Sequence, residues 1–248
     1  LYLHVQKANV SDLGIVNADI TGDQYVGGIA GIMRPSNIHG SYVVGTIRGT
    51  DAVGGLVGGT VYGNITNSYA NATVIASAST CSVANMAGAG GLVGSMANGD
   101  AIMTKSHFLG YVQGADCVGG LIGDGFPYVV SGGYALATVV GEDYVGGISG
   151  EGDSIQILGA YAKGSVTGVN YVGGLTGHTY FSIISNSYTE SQITCTNQYC
   201  GGLIGYVEGG DTIIDGTVTW INYTSDTATG CQGQSGTTEG TSLGGCNP

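Results

Sequence analysis

One phrase constrains this chain more than any other feature, because it returns seven times. The copies are Tyr25-Val-Gly-Gly-Ile-Ala-Gly31, Ala52-Val-Gly-Gly-Leu-Val-Gly58, Gly88-Ala-Gly-Gly-Leu-Val-Gly94, Cys117-Val-Gly-Gly-Leu-Ile-Gly123, Tyr144-Val-Gly-Gly-Ile-Ser-Gly150, Tyr171-Val-Gly-Gly-Leu-Thr-Gly177 and Tyr199-Cys-Gly-Gly-Leu-Ile-Gly205. The first glycines of the pairs are Gly27, Gly54, Gly90, Gly119, Gly146, Gly173 and Gly201, and the second are Gly28, Gly55, Gly91, Gly120, Gly147, Gly174 and Gly202. The intervals between first glycines are 27, 36, 29, 27, 27 and 28 residues. A period in this range marks a stack of copies of one small unit.

Further marks repeat in the same register. Fifteen residues after the first glycine come Tyr42, Tyr69, Tyr134, Tyr161 and Tyr188, with Phe108 as the counterpart in the lengthened third repeat. Twenty residues after it come Ile47, Val74, Val139, Val166, Ile193 and Ile221, each of the first five preceded by a small residue at Gly45, Ala72, Ala137, Gly164 or Ser191. Period-two alternation, as in Tyr161-Ala-Lys-Gly-Ser-Val166, is the signature of strands. Each repeat therefore reads as about three short strands: the Gly-Gly phrase, a segment ending near the tyrosine, and a segment reaching the Val or Ile. Ile15 and Ile20 place a partial rung before the first motif.

Stacked rungs lie about 4.8 Å apart, and glycine lets one backbone approach another closely. All fourteen paired glycines are expected to be structural. The expected fold is an all-β β-solenoid (β-helix) of about seven to eight rungs, with a ~27-residue repeat and a length of roughly 35 Å. The Leu or Ile between the glycines should point into the core. Residues 1–222 form one solenoid domain, of which 1–12 are a lead-in strand or cap. Residues 223–248, rich in Ser, Thr and Gly, form a disulfide-closed cap or tail. A loop around residues 78–88 absorbs the nine-residue excess before the third motif.

The phrase Val-Gly-Gly-Leu-hydrophobic-Gly followed by Asn67-Ser-Tyr-Ala70 resembles the GLUG motif repeat, found in secreted and surface proteins of microbes, adhesin-like proteins among them. The resemblance covers roughly residues 13–222. It implies a surface-exposed repeat protein and no shared catalytic set.

Composition narrows the functional classes. Five Lys plus Arg against seventeen Asp plus Glu give a net charge of -12, which excludes an electrostatic grip on nucleic acid. No apolar run is long enough for a transmembrane helix, and the start at Leu1, without a signal-peptide pattern, reads as a processed or excised region. Six cysteines and four sequons, at Asn9, Asn64, Asn71 and Asn222, point to a secreted or cell-surface glycoprotein. The expected disulfides are Cys81–Cys117, Cys195–Cys200 and Cys231–Cys246. Metal binding by cysteine is the rival, unsupported by any Cys-x-x-Cys spacing.

Three residues before each first glycine stand Gln24, Asp51, Ala87, Asp116, Asp143, Asn170 and Gln198, a ladder expected to form Asx-type turns. The sharper alternative is a Ca2+ site at Asp116 and Asp143. His4, His39, His107 and His178 occupy unrelated register positions, and Arg34, Arg48, Lys105 and Lys163 form no cluster. No catalytic or cofactor-binding set is expected. Two tyrosine ladders, one through Tyr25, Tyr144, Tyr171 and Tyr199 and one through the fifteen-residue marks, are structural unless one faces outward towards a glycan. The reading is a non-enzymatic extracellular structural or adhesive module, as a surface stalk or a self-assembling filament subunit joined through its ends. The alternative is a carbohydrate-binding or carbohydrate-active β-helix protein.

Overall fold

The computed structural model describes residues 4–78, 81, 87–208, 212–215, 218–220 and 236–238. Asn222, Ile221, Cys231 and Cys246 lie outside the described residues. The described chain is a β-solenoid of about seven turns, with three sheets that run the length of the stack. All its strand pairs are parallel except Val218–Trp220 with Gly236–Thr238, which is antiparallel.

The first sheet has seven strands, each ending at the first glycine of a pair, such as Asp51–Gly54, Asp143–Gly146 and Asn170–Gly173. The second has nine, including Tyr42–Gly49, Tyr69–Ala76, His107–Gln113, Tyr134–Val140, Tyr161–Gly168 and Tyr188–Cys195. The third has fourteen, because most turns cross it as two strands, such as Val57–Val61 and Asn64–Thr66. The tyrosine thus begins a strand rather than ending one, and a turn carries four strands where three were expected. The Gly-Gly phrase is also not one continuous strand. Its second glycine, at Gly28, Gly55, Gly91, Gly120, Gly147, Gly174 and Gly202, lies in a bend just past the strand end, where the chain turns from the first sheet into the third.

The glycines are explained by what a Cβ would meet. At Gly119 it would lie 1.8 Å from the Ile122 carbonyl oxygen of the same turn. The second glycines instead face the next turn. A Cβ would lie 2.0 Å from the Gly147 oxygen at Gly120, 2.2 Å from the Gly174 oxygen at Gly147, and 2.3 Å from the Gly202 oxygen at Gly174. At Gly55 it would lie 2.2 Å from the Gly91 oxygen and 2.8 Å from the Ala70 Cβ across the core. At Gly177, the last glycine of its motif, it would lie 2.4 Å from the Val145 backbone nitrogen of the neighbouring turn. Close backbone approach is therefore the role of the motif glycines. Beside them, Ile29, Leu56, Leu92, Leu121, Ile148, Leu175 and Leu203 are all buried in one core.

Asn67-Ser-Tyr-Ala70 is equally legible. Asn67 takes a left-handed φ of 50°, which Asn tolerates better than most residues. Buried Ser68 accepts the Ser41 N–H at 3.1 Å and donates to the Thr66 carbonyl at 2.9 Å, so its hydroxyl joins two turns. Ser106 repeats this above it, accepting the Ser68 N–H. Tyr69 stacks on Tyr42, and Ala70 supplies the small inward side chain that Gly55 faces.

The third turn corrects the register expected there. His107, not Phe108, pairs with Tyr69 and Tyr134, and Phe108 is fully buried in the row of Ala70 and Ala135. The cause is a register shift between Ala97 and Ala101, which stand opposite Phe126 and Tyr128: three residues face one, so two extra residues are absorbed. In the first turn Gly14, not Ile15, stands opposite Tyr42, and Ile15 opposite Val43, whereas Ile20 does meet Ile47.

Candidate functional site

Two rows of side chains meet along one corner of the solenoid. The first comprises the residues two before the first glycine: Tyr25, Ala52, Cys117, Tyr144, Tyr171 and Tyr199, all with φ between 50° and 59°, and Gly88 with φ 117°. Bulky residues in this region carry a local strain of about 1 kcal/mol each. Stacking offsets it where Tyr144, Tyr171 and Tyr199 lie face to face with centroids 4.6 Å apart.

The second row stands five residues after the first glycine: Ile32, Gly59, Ser95, Asp124, Glu151, His178 and Tyr206. Pairing puts Ser95 opposite Asp124, Glu151 opposite His178, and His178 opposite Tyr206. His178 and Tyr206 pack edge-on against the stacked tyrosines. This corner brings carboxylate, imidazole, phenol and sulfur groups together. The constant offset was visible in the sequence, but its packing against the tyrosine row, within a turn and between turns, was not, and sequence reasoning missed it.

Its middle is acidic. Asp124 is 1% exposed, with no side-chain partner for its carboxylate and only the backbone of Gly125 and Ala87 beside it. Burial, then the charge of Glu151, pushes its pKa up to about 8, outweighing the nearby Gly125 and Ala87 amides that favour the anion. The His178 ring lies between two carboxylates, Nδ1 3.4 Å from Glu151 Oε1 and Nε2 3.3 Å from Glu208 Oε2. Tyr144 is raised to about 12, chiefly by burial and next by Tyr171.

Cys81, from the long connection before the third motif, is bonded to Cys117 with a Cα–Cα distance of 5.3 Å. Their sulfurs lie 3.2 and 3.4 Å from Glu151 Oε2. Among the described residues, Cys81, Cys117 and Glu151 form the one group of three potential ligand atoms within 4.8 Å of each other. Cys195 and Cys200 are also bonded, at 5.9 Å between Cα atoms, across the corner from the second sheet to the first.

Other expected positions separate from this cluster. Asp143 accepts from Asn170 Nδ2 at 2.8 Å, and Asn170 in turn accepts from Asn197 Nδ2 at 2.8 Å, so Asn197 rather than Gln198 continues the corner ladder by side chain. Asp51 caps its own corner by accepting the Ala52 N–H. Burial, then Asp143, raises the pKa of Asp116. Of the sequons, Asn9 and Asn71 are exposed, whereas Asn64 is half-buried and accepts the Ile102 N–H. His4 and His39 are exposed on the third sheet, and His39 pairs with Thr66.

Residues 49–75 match the family model described as the GLUG motif. The chain thus carries a GLUG motif, and the β-solenoid fits a protein built of such repeats. The matched stretch is one turn of the solenoid: it holds the strand Asp51–Gly54, the core residue Leu56 and the Asn67-Ser-Tyr-Ala70 segment. No curated protein and no solved structure matches the chain. In the GLUG repeat, then, the shared residues are those that stack one turn on the next, while the acidic corner at Asp124, Glu151 and Cys117 is built from positions where the repeats differ from each other.

Proposed function

We propose that this GLUG solenoid is a non-catalytic extracellular module, a rigid spacer that extends by stacking turn on turn, in a surface stalk or filament. The observation that carries this reading is the parallel stack itself, whose three sheets run through the described turns one after another. The strands His4–Gln6, Asn9–Ser11, Gly14–Thr21 and Gln24–Gly27 each pair on one side only among the described residues. Leu13 and Val16 are exposed there, at 40% and 61%. The core opens into a hollow of about 430 Å³ lined by Ile20, Tyr25, Val26 and Ile29 among others. Unpaired parallel edges over an apolar hollow invite further strands, from the same chain or another.

The Cys195–Cys200 disulfide favours an oxidising compartment. A glycan platform gains little support from the long aromatic ladder. Tyr42, Tyr69, His107, Tyr134, Tyr161 and Tyr188 stack with centroids 4.6–5.0 Å apart and planes within 7°. Each inner ring spends both faces on its neighbours, leaving edges and hydroxyls to solvent, whereas sugars stack on open faces.

Electron microscopy and light scattering over a concentration series test the proposal. The expected result is end-to-end particles whose length grows in steps, abolished by Val16→Lys. Monodisperse single solenoids at every concentration would remove the filament form, and turnover of a polysaccharide panel would remove the non-catalytic one.

A further inference from the structure

The aromatic ladder of the second sheet carries a chemistry that stacking alone does not use. Register pairs Tyr42 with Tyr69, Tyr134 with Tyr161, and Tyr161 with Tyr188. The paired rings lie 4.9–5.0 Å apart between centroids, with planes within 7°. Tyr188 is 37% exposed and the other four are half-buried, so an oxidant in solution reaches their edges. We propose that this ladder is a modification site, at which one-electron oxidation of neighbouring tyrosines joins them as dityrosine and staples one turn to the next. The modification goes beyond the spacer role and does not depend on it.

A phenol that loses one electron and one proton becomes a phenoxyl radical, whose unpaired electron lies partly on the ring carbons ortho to the oxygen. Two such radicals form a carbon–carbon bond between ortho carbons. The ring hydrogens at that bond then move to the oxygens, which restores both phenols. With hydrogen peroxide as the oxidant and a peroxidase to activate it, the two electrons and two protons break the O–O bond and leave as two waters. Holding the rings side by side turns an encounter between molecules into one within the chain. The new bond lies in the plane of both rings, so a pair must swing out of its stack to make it, and rings whose edges face solvent have room to do so.

The neighbours of each ring set the pattern. His107 stacks between Tyr69 and Tyr134, and an imidazole forms no phenoxyl radical, so it divides the ladder into a pair and a trio. Tyr111, on the same sheet, stands opposite Thr73 and Thr138, which offer nothing to couple with. At the acidic corner, His178 and Tyr206 lie edge-on against Tyr144, Tyr171 and Tyr199 and hold those rings in their stack.

The test treats the whole chain at low concentration with a peroxidase and hydrogen peroxide, isolates single chains by gel filtration in denaturant, and maps their peptides by mass. Dityrosine fluorescence is expected, with peptide pairs lighter by two hydrogens that join Tyr42 to Tyr69, Tyr134 to Tyr161 or Tyr161 to Tyr188. Chain unfolded in urea before oxidation should give on the order of tenfold less of these pairs. Tyr161→Phe keeps a stacked ring and should remove both links of the trio while leaving the one between Tyr42 and Tyr69. His107→Tyr should add links from position 107 to Tyr69 and Tyr134. If either variant fails to fold, the comparison of native with unfolded chain decides. The proposal is overturned if coupling follows exposure alone and runs chiefly through Tyr62, which is 59% exposed, or if native and unfolded chains give the same pairs in the same yield.

Discussion

At the scale of single residues, the repeat phrase separates two kinds of glycine. Gly119 has backbone in the way of any side chain, with the Ile122 oxygen 1.8 Å from a Cβ, while Gly159 has nothing within 4 Å and is set only by its φ of 59°. Gly119→Ala should therefore lose about 3 kcal/mol, the upper range for overpacking, and Gly159→Ala about 1 kcal/mol, the cost of a left-handed alanine. Urea denaturation of both variants measures the difference, and equal losses would contradict this account. Ser68→Ala removes a hydroxyl of ordinary size but strands the buried Ser41 N–H, so a loss of about 1–3 kcal/mol is expected in the same assay. Leu175 in the core and Ser68 in the Asn-Ser-Tyr-Ala segment were readable from position, because each repeats wherever the backbone makes the same demand. Asp124 was not, since its burial depends on what packs over it from other turns.

At the scale of elements, the second sheet shows how a ladder tolerates a foreign rung. His107 stacks between Tyr69 and Tyr134 with its centroid 5.0 and 4.6 Å from theirs, and burial lowers its pKa from the usual 6.5. The folded state therefore binds this proton less readily than the unfolded chain. The contribution is present above the unfolded pKa and is lost as pH falls through the lowered folded value. Thermal melts at pH 7 and pH 5 should show a larger drop for the native chain than for His107→Tyr. At pH 7 the two should agree within about 1 kcal/mol, the range of one cross-strand pair. Counting fifteen from Gly90 leads to Lys105, and the eye then moves to Phe108 as the nearest aromatic. Two residues hidden between Ala97 and Ala101 decide otherwise, and alternation alone does not reveal an irregularity inside a strand.

At the scale of the molecule, each turn bonds only to its neighbours, so order, length and straightness follow from the repeat, and individuality enters where the spacing breaks. The 36-residue interval carries Cys81 to the acidic corner, and the 28-residue interval adds a residue to the Cys195–Cys200 connection. The overall architecture was legible because seven equal demands reinforce one another; the corner was not, because it joins three different turns.

The parallel stacking also sets how such a rod would behave under tension. A pull along the axis acts across the strands and peels turns one at a time. A released turn of 27 residues spans up to about 90 Å when extended, against roughly 4.8 Å in the stack. Single-molecule extension should thus show steps of that order, and the Cys81–Cys117 crosslink, with its sequence separation of 36, should withhold the segment it encloses until a reductant is added. The rod would then be a store of length, with that crosslink as its catch.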